Sequence, residues 1–211
     1  MDPVAIGEKY NKIAEYWNER HLDSKYGLNQ IEKALKFVKN KNTALDIGCG
    51  SGGRIVKLLN AHGLNVTGID ISEKMLELAQ KNHPEGKFHH SDLLNFETNM
   101  KFDFIVAWDS IFHIESNKQS DAINRISNLL NPNGIMIYTF GDAVGDHEDL
   151  SFMENGRQLG NLNNDYFGYG SIGINMNLQT IINSGCKCLH LEIDQYPQNH
   201  AYIIAQKQSE Q

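Results

Sequence analysis

Three carboxylates and a histidine stand where they could do chemistry: Asp46, Asp70, Asp92 and His113. Asp46 lies near the end of a short apolar run and precedes Gly48-Cys49-Gly50-Ser51-Gly52-Gly53. Alternating glycines let the chain turn sharply and let a ligand approach bare backbone. The helical pattern that follows (Ile55, Val56, Leu58, Leu59) starts with unpaired amides and a positive dipole end, which suits polar or anionic groups. Strand, glycine turn and helix together describe a nucleotide-type cofactor site. Asp70 closes the next apolar run, where a carboxylate accepts hydrogen bonds from ribose hydroxyls. Such charge-assisted bonds are worth about 1.5–3 kcal/mol each. They hold an adenosine without choosing the cofactor, because Gly48, Gly50 and Gly53 also satisfy the dinucleotide pattern G-x-G-x-x-G.

The other histidines and the cysteines offer less. His147 sits in Asp146-His147-Glu148-Asp149, which reads as a solvated acidic loop, since no second cluster with metal spacing accompanies it. His89 and His90 are adjacent on a strand-like run, so their rings face opposite sides and cannot share one ion. No metal site is expected. Cys49 lies inside the glycine turn, and Cys186 and Cys188 belong to no visible metal set, which fits a reducing compartment.

Composition sets the outer limits. The chain has 211 residues, 40% hydrophobic and 21% charged, with a net charge of −7, enough for one domain with a full core. The acidic balance argues against a nucleic-acid surface, which needs clustered Lys and Arg. The N-terminus lacks the apolar stretch of a signal peptide, and no run approaches a membrane span. A cytoplasmic protein is expected.

The elements that must position these residues alternate. Helical spacing marks residues 4–20 (Tyr10, Ile13, Ala14, Trp17) and 28–39 (Leu28, Ile31, Leu35, Val38). A strand over Thr43–Ile47 precedes a helix from Gly52 to His62. A second strand, Asn65–Asp70, leads to Ser72, a natural N-cap for the helix carrying Met75, Leu78 and Ala79. Further strands are expected at Lys87–His90, Phe102–Trp108 and Ile135–Phe140. The helix through Ala122, Ile123, Ile126, Leu129 and Leu130 and the turn Asn131-Pro132-Asn133-Gly134 come between the last two. Strands alternating with helices predict a parallel sheet covered on both faces. Residues 141–173 are polar and glycine-rich, and Tyr166, Phe167 and Tyr169 stand among them. A short helix near Leu178–Asn183 and two runs that can pair antiparallel, Cys186–Ile193 and Ala201–Ala205, finish the chain, the latter after a turn at Pro197.

From about residue 40 onward the set resembles the class I S-adenosylmethionine-dependent methyltransferase family. Asp46-Ile47-Gly48-Cys49-Gly50-Ser51-Gly52 looks like its first motif, Val66–Asp70 its second and Ser91-Asp92-Leu93 its third. Phe102–Trp108 resembles the fourth-strand motif, and Leu129-Leu130-Asn131-Pro132-Asn133-Gly134 the leucine-x-proline-glycine-glycine turn, with Asn for one Gly. The resemblance implies an α/β, Rossmann-like fold: a seven-stranded, mostly parallel sheet whose last strand is inserted antiparallel beside the fifth. It implies one domain over 1–211, with a helical cap over 1–40 and a loop or lid over 141–175. S-adenosyl-L-methionine is then the donor and S-adenosyl-L-homocysteine the product. Cofactor contacts are expected from Asp46, Gly48, Gly50, Asp70, Ile71, Met75, Asp92, Leu93 and Trp108, with Trp17 at the methionine end. Asp109, Tyr166 and Tyr169 are expected to border the acceptor.

Methyl transfer from a sulfonium is an in-line displacement, so alignment supplies most of the rate, and a base matters only for an acceptor that still carries a proton. Such a base contributes about 10²–10⁴-fold. His113, after the fourth strand, is the expected base; the competing reading is a histidine bonded to backbone. A small-molecule acceptor is expected, because the fourth-strand motif lacks the Asn-Pro-Pro-Tyr, Asp-Pro-Pro-Tyr and Pro-Cys signatures of macromolecular methylases that resemble it. Two other readings stand beside it. One is an NAD(P)-dependent oxidoreductase, weakened by the absence of a Tyr-x-x-x-Lys pair. The other is a non-catalytic S-adenosylmethionine-binding subunit.

Overall fold

The computed structural model describes residues 2–149, 153–154, 157–158, 167–195 and 200–209. Helix α1 (Pro3–His21) starts on Asp2, whose carboxylate accepts the Val4 amide at 3.1 Å, with Pro3 at the first helical position, where its missing N–H costs nothing. Then follow α2 (Leu28–Leu35), β1 (Thr43–Ile47), α3 (Arg54–Ala61), β2 (Asn65–Asp70), α4 (Glu73–Asn82), β3 (Lys87–His90) and β4 (Phe102–Ala107). Ser72 caps α4 as expected, accepting the Met75 amide at 3.1 Å. The second half contains α5 (Ser116–Leu129), β5 (Leu130–Gly141), β6 (Gly145–Asp149), β7 (Met153–Glu154), β8 (Arg157–Gln158), β9 (Phe167–Ser171), α6 (Gly173–Asn183), β10 (Cys186–Gln195) and β11 (His200–Lys207).

Seven strands form the main sheet in the order β10-β11-β5-β4-β1-β2-β3. β1, β2, β3, β4 and β5 pair parallel, while β11 runs antiparallel to both β5 and β10. Chain length dictates this. Only a few residues separate β10 from β11, too few for the dozen or more that a parallel crossover needs, so the pair must be antiparallel. β10 itself is reached from β5 through α6, a connection long enough to keep it parallel to β5. The inserted antiparallel strand separates this sheet from the dinucleotide-binding order, which is parallel throughout.

The two faces follow from period two. Phe104, Val106 and Trp108 point with Ala44, Ile135 and Ile137 toward Ile31, Ala34 and Leu35 of α2 and Leu59 of α3. Ile105 and Ala107 point with Leu45, Ile47 and Met136 toward Ala122, Ile123 and Ile126 of α5 and Ile181 of α6. Within the expected 1–40 cap, α1 alone reaches the ligand-binding edge; α2 belongs to the sheet-covering layer, because its apolar stripe is fully buried there. One charge interrupts the β4 core, and it is fully used. Asp103 accepts the Asn42 and Thr43 amides at 3.1 and 3.2 Å and the Asn131 side-chain amide at 2.8 Å, so it locks the start of β1 to β5.

Several boundaries differ from expectation. The turn at 131–134 is absorbed into β5 as an irregularity in its register against β4, between Phe102 and Phe104, with Asn133 at φ 64°. α6 begins at Gly173 rather than near Leu178, because Asn177 is fully buried and its side-chain amide donates to the Gly173 carbonyl at 2.8 Å. α2 is shorter than 28–39, ending at Leu35. Within the polar connection β6 and β9 pair antiparallel, as do β7 and β8, so chain patterning underestimated its regular structure. Pro197 and Tyr166 lie outside the described residues. Among the described residues no helix is long and apolar enough to cross a membrane.

The Tyr138 hydroxyl, fully buried in β5, donates to Asn177 Oδ1 at 3.0 Å and so pins α6 to the sheet. Tyr138→Phe leaves that oxygen unpaired in the core. A loss of about 1–3 kcal/mol is expected, measurable by denaturant titration as a lower midpoint with an unchanged slope.

Candidate functional site

The site is built where the carboxyl ends of β1, β2 and β4 meet. Gly48, Gly50 and Gly52 take positive φ (71°, 53° and 66°), a region that favours glycine. At Gly48 a Cβ would also stand 2.4 Å from the Ser110 Cβ, so the turn packs directly on the loop after β4. The turn is fastened from both sides. The Gly48 and Cys49 amides donate to the Ile69 carbonyl at 2.8 and 3.1 Å. From outside, Asn82 donates to the Ser51 carbonyl at 2.9 Å, and His83 Nε2 lies 2.5 Å from the Gly52 carbonyl.

Asp70 is the hinge of this arrangement. Its Oδ2 accepts the Gly50 amide and its Oδ1 the Ser72 amide, each at 2.8 Å. Burial raises its pKa, with the Ser72, Gly50 and Ile71 amides pulling the other way. A carboxylate accepts about four hydrogen bonds, so Asp70 keeps capacity toward the cleft.

Asp46 lies behind the turn. It is 1% exposed, and neither carboxylate oxygen has a hydrogen-bond partner. Burial pushes its pKa up to about 7; Arg54 opposes the rise and Asp70 adds to it. Arg54, the first residue of α3, uses its Nε on the Tyr26 carbonyl at 2.7 Å and lies 5.4 Å from the Tyr26 ring centre. Arg54 lines the cleft, and burial lowers its pKa while the charges of Asp109 and Asp46 oppose the fall.

The cleft has a volume of about 410 Å³, within the range of small-molecule sites. It brings together Gly48, Gly50, Asp70, Ile71, Met75, Asp92, Leu93, Trp108, Asp109, His113 and Trp17. Asp46 is the exception among the expected cofactor residues: it is buried beneath the wall rather than in it. Tyr169 is placed only as a β9 position opposite His147, and the Tyr166 expectation lies outside the described residues. α1 roofs the cleft through Ile6, Tyr10, Trp17 and His21, Trp17 stacking on His21 at 4.0 Å. Tyr10 OH is 2.7 Å from His113 Nε2. Burial, with the charges of Asp70 and Asp109, raises the Tyr10 pKa, so the phenol that meets the imidazole keeps its proton. Asp92 uses one oxygen on the Leu94 amide at 3.0 Å and the other on Asn95 at 2.7 Å. Among the described residues no group of three His, Cys, Asp or Glu is set to hold a metal ion.

Sequence reading missed Arg54 and His200. Arg54 carried a usable signal, since a first helical residue directly after a glycine turn points toward whatever the turn binds. His200 carried none, because it reaches the site only through the strand insertion.

These residues fit an adenosine-bearing cationic ligand on the chain's own terms. The glycine turn leaves open space at Gly50, Asp70 has unused acceptor capacity, and Asp46 is a buried carboxylate without a partner. Asp46 also makes the ligand-free protein sensitive to pH. Its carboxyl ionises near 3.8 in an unfolded chain and near 7 in the folded one. Folding therefore favours the protonated form. That contribution is complete below pH 4 and is lost as pH rises through 7, amounting to at most about 4 kcal/mol. Asp46→Asn should leave stability nearly unchanged at pH 4 and raise the melting temperature relative to the parent by about 4–10 °C at pH 8. Equal melting differences at both pH values would contradict a charged, unpaired Asp46.

Comparison with known proteins places this geometry in company. A family model described as a methyltransferase domain matches residues 44–134, the span from β1 to the β5 irregularity. An uncharacterized methyltransferase of Oceanobacillus iheyensis is 31% identical over 150 residues, covering 66% of this chain and 69% of that protein. A ubiquinone biosynthesis O-methyltransferase of Rickettsia typhi is 28% identical over 66% of this chain and 65% of its own length. Phosphoethanolamine N-methyltransferase 2 of Caenorhabditis elegans is 34% identical over 57% of this chain, which spans only 29% of that enzyme. Among solved structures, magnesium protoporphyrin IX methyltransferase from Synechocystis PCC 6803, with bound S-adenosylhomocysteine, aligns over 98% of this chain and 100% of its own. Its TM-score is 0.69 at 19% identity, a likeness of fold.

Proposed function

Because this chain belongs to the class I S-adenosylmethionine-dependent methyltransferase family, we propose that its cleft holds that donor and directs its methyl group to a small-molecule acceptor. The observation that carries the reading is the clasp between Asp70 and the glycine turn, which sets a carboxylate with spare acceptor capacity beside bare backbone at Gly50. When bound, the donor supplies an electrophilic methyl group on a sulfonium. Every other contribution comes from the chain.

Asp70 holds the two ribose hydroxyls. Ile71 and Met75 supply an apolar wall for the adenine, and Asp92 with the Leu93 amide meets its polar edge. Arg54 answers the donor's carboxylate, and the Asp46 charge behind the turn favours its cationic end. Trp17 and Trp108 close the methionine end. α1 lies over these groups and excludes water, so donor and acceptor meet already aligned, where effective molarities reach about 10⁵–10⁸ M. For His113 to serve as a base, Tyr10 must first release its Nε2.

Three features support a small acceptor. The cleft is roofed by α1, its volume is that of a metabolite site, and the net charge of −7 offers no broad polyanion surface. Relatives named for N- and O-methylation of small molecules point the same way.

Isothermal titration with S-adenosylhomocysteine tests the donor assignment. The parent protein should bind with one site per chain. Asp70→Asn should weaken binding by about 10–100-fold, the loss of one or two charge-assisted hydrogen bonds. Absence of heat with the parent protein would overturn the assignment. Arg54→Gln should weaken the same ligand by about tenfold, with a smaller effect on adenosine, which lacks the carboxylate.

A further inference from the structure

Behind the cleft wall at the end of β4 lies a cluster of ionisable groups around His200. His200, the first residue of β11, sits between two carboxylates: its Nε2 is 3.0 Å from Asp109 Oδ1, and its Nδ1 is 2.5 Å from Asp194 Oδ1. The His200 side chain is 15% exposed and that of Asp194 5%. An imidazole with an acceptor at each nitrogen satisfies both only when it carries both protons. Burial works against that charge, but the hydrogen bonds and charges of Asp109 and Asp194 outweigh it, so the His200 pKa lies above its ordinary value.

Asp109 is the end of the cluster that lines the cleft. It follows β4 directly and holds φ 54°, a conformation that costs an ordinary residue and persists only where its surroundings enforce it. Here they do. Its amide donates to Thr139 Oγ1 at 2.8 Å, and the Thr139 hydroxyl lies 3.3 Å from Asp109 Oδ1. The Tyr26 phenol, braced by Gln195 at 2.8 Å, lies 3.4 Å from His200 Nε2 on the same side of the cluster. Gln30 from α2 steadies Asp194 at 3.3 Å, and Arg54 from α3 is a second cation on which the Asp109 charge acts. Elements far apart in the chain thus converge to hold one carboxylate in a strained position at the cleft wall. Thr139 and His200 both meet Oδ1 of that carboxylate, which offers roughly four hydrogen-bond positions and so keeps capacity for a further donor.

We propose that the open hydrogen-bonding capacity of Asp109 receives the methyl acceptor through an O–H or N–H group, with His200 as the positioning residue that fixes the carboxylate and Asp194 as the group that holds His200. The proposal rests on the cleft being a methyl-transfer site and names the acceptor class: a hydroxyl or amine, not a carbon nucleophile. As the acceptor–methyl bond forms and the carbon–sulfur bond breaks with its electron pair going to sulfur, the acceptor's O–H or N–H proton passes to Asp109. It leaves to solvent with the product. His113, whose Nε2 is engaged by the Tyr10 hydroxyl at 2.7 Å, is not required for that transfer.

The full chain saturated with S-adenosylhomocysteine provides the test. Nitrogen-15 NMR of labelled histidine should find His200 titrating above the usual value of about 6.5, and falling toward it in Asp194→Asn. Phenol, catechol, benzylamine and diethylamine are then titrated as probes, with thiophenol as the contrast, and assayed for methyl transfer with the labelled donor. At least one hydroxyl or amine probe should bind. Asp109→Asn should weaken it by about tenfold or more while S-adenosylhomocysteine affinity stays within about twofold. His200→Gln should raise the acceptor KM more than it lowers kcat and shift the pH profile of kcat/KM.

Three results would overturn the proposal: probe binding indifferent to Asp109, His200 titrating near 6.5 in the parent, or Asp109→Asn weakening S-adenosylhomocysteine itself. The last would assign Asp109 to the donor's ammonium. Failure of the parent to bind S-adenosylhomocysteine is a separate result, which would remove the donor reading and this proposal with it.

Discussion

At the centre of this molecule a buried carboxylate is held by backbone alone. Asp70 ends β2, and its two oxygens take the amides of Gly50 and Ser72. One of those amides belongs to the glycine turn and the other to the cap of α4, so a single side chain sets the spacing between the two ligand-facing segments. The left-handed φ at Gly48 and Gly50 is what lets the turn present an amide to it. The close approach of Gly48 to Ser110 then ties the same turn to the loop after β4. Three strand ends are thereby fixed by contacts within a few residues of one another.

Around that centre the protein concentrates negative charge. Asp46, Asp70, Asp109 and Asp194 are all partly or wholly buried near the carboxyl edge, against Arg54 and against His200, whose pKa Asp109 and Asp194 raise. Burying unpaired carboxylate is costly, and Asp46 shows the cost as a pKa pushed up to about 7. A site strained in this way gains most from a ligand that brings positive charge, and a sulfonium donor with an ammonium group is such a ligand. Electrostatics and hydrogen-bond capacity thus favour the same ligand.

The roof and the back wall come from opposite ends of the chain. α1 supplies Tyr10 and Trp17 from above, pinned over α4 by Ile6, Ile13 and Ala14 packing on Ile71, Met75 and Leu78. β11 supplies His200 from behind, because a short hairpin forces it antiparallel and places it beside β5. The antiparallel strand therefore has a chemical consequence as well as a topological one: it brings an imidazole to Asp109 at the end of β4.

The order of strands and helices, the parallel core, the glycine turn and the carboxylates Asp46, Asp70 and Asp92 were all legible in the chain. Each is written in local pattern: period two, period 3.6, a cap, or a glycine that must take positive φ. Boundaries such as the start of α6 and the irregular entry into β5 were not legible, since they depend on where Asn177 and Asp103 find partners across the fold. Side-chain pairing across distance was equally hidden. That Tyr10 occupies His113, that Asp46 lies beneath the cleft wall and that His200 reaches Asp109 were decided only by packing. Residues separated by about ninety or a hundred positions meet because the sheet places them together, and no spacing along the chain encodes such a meeting.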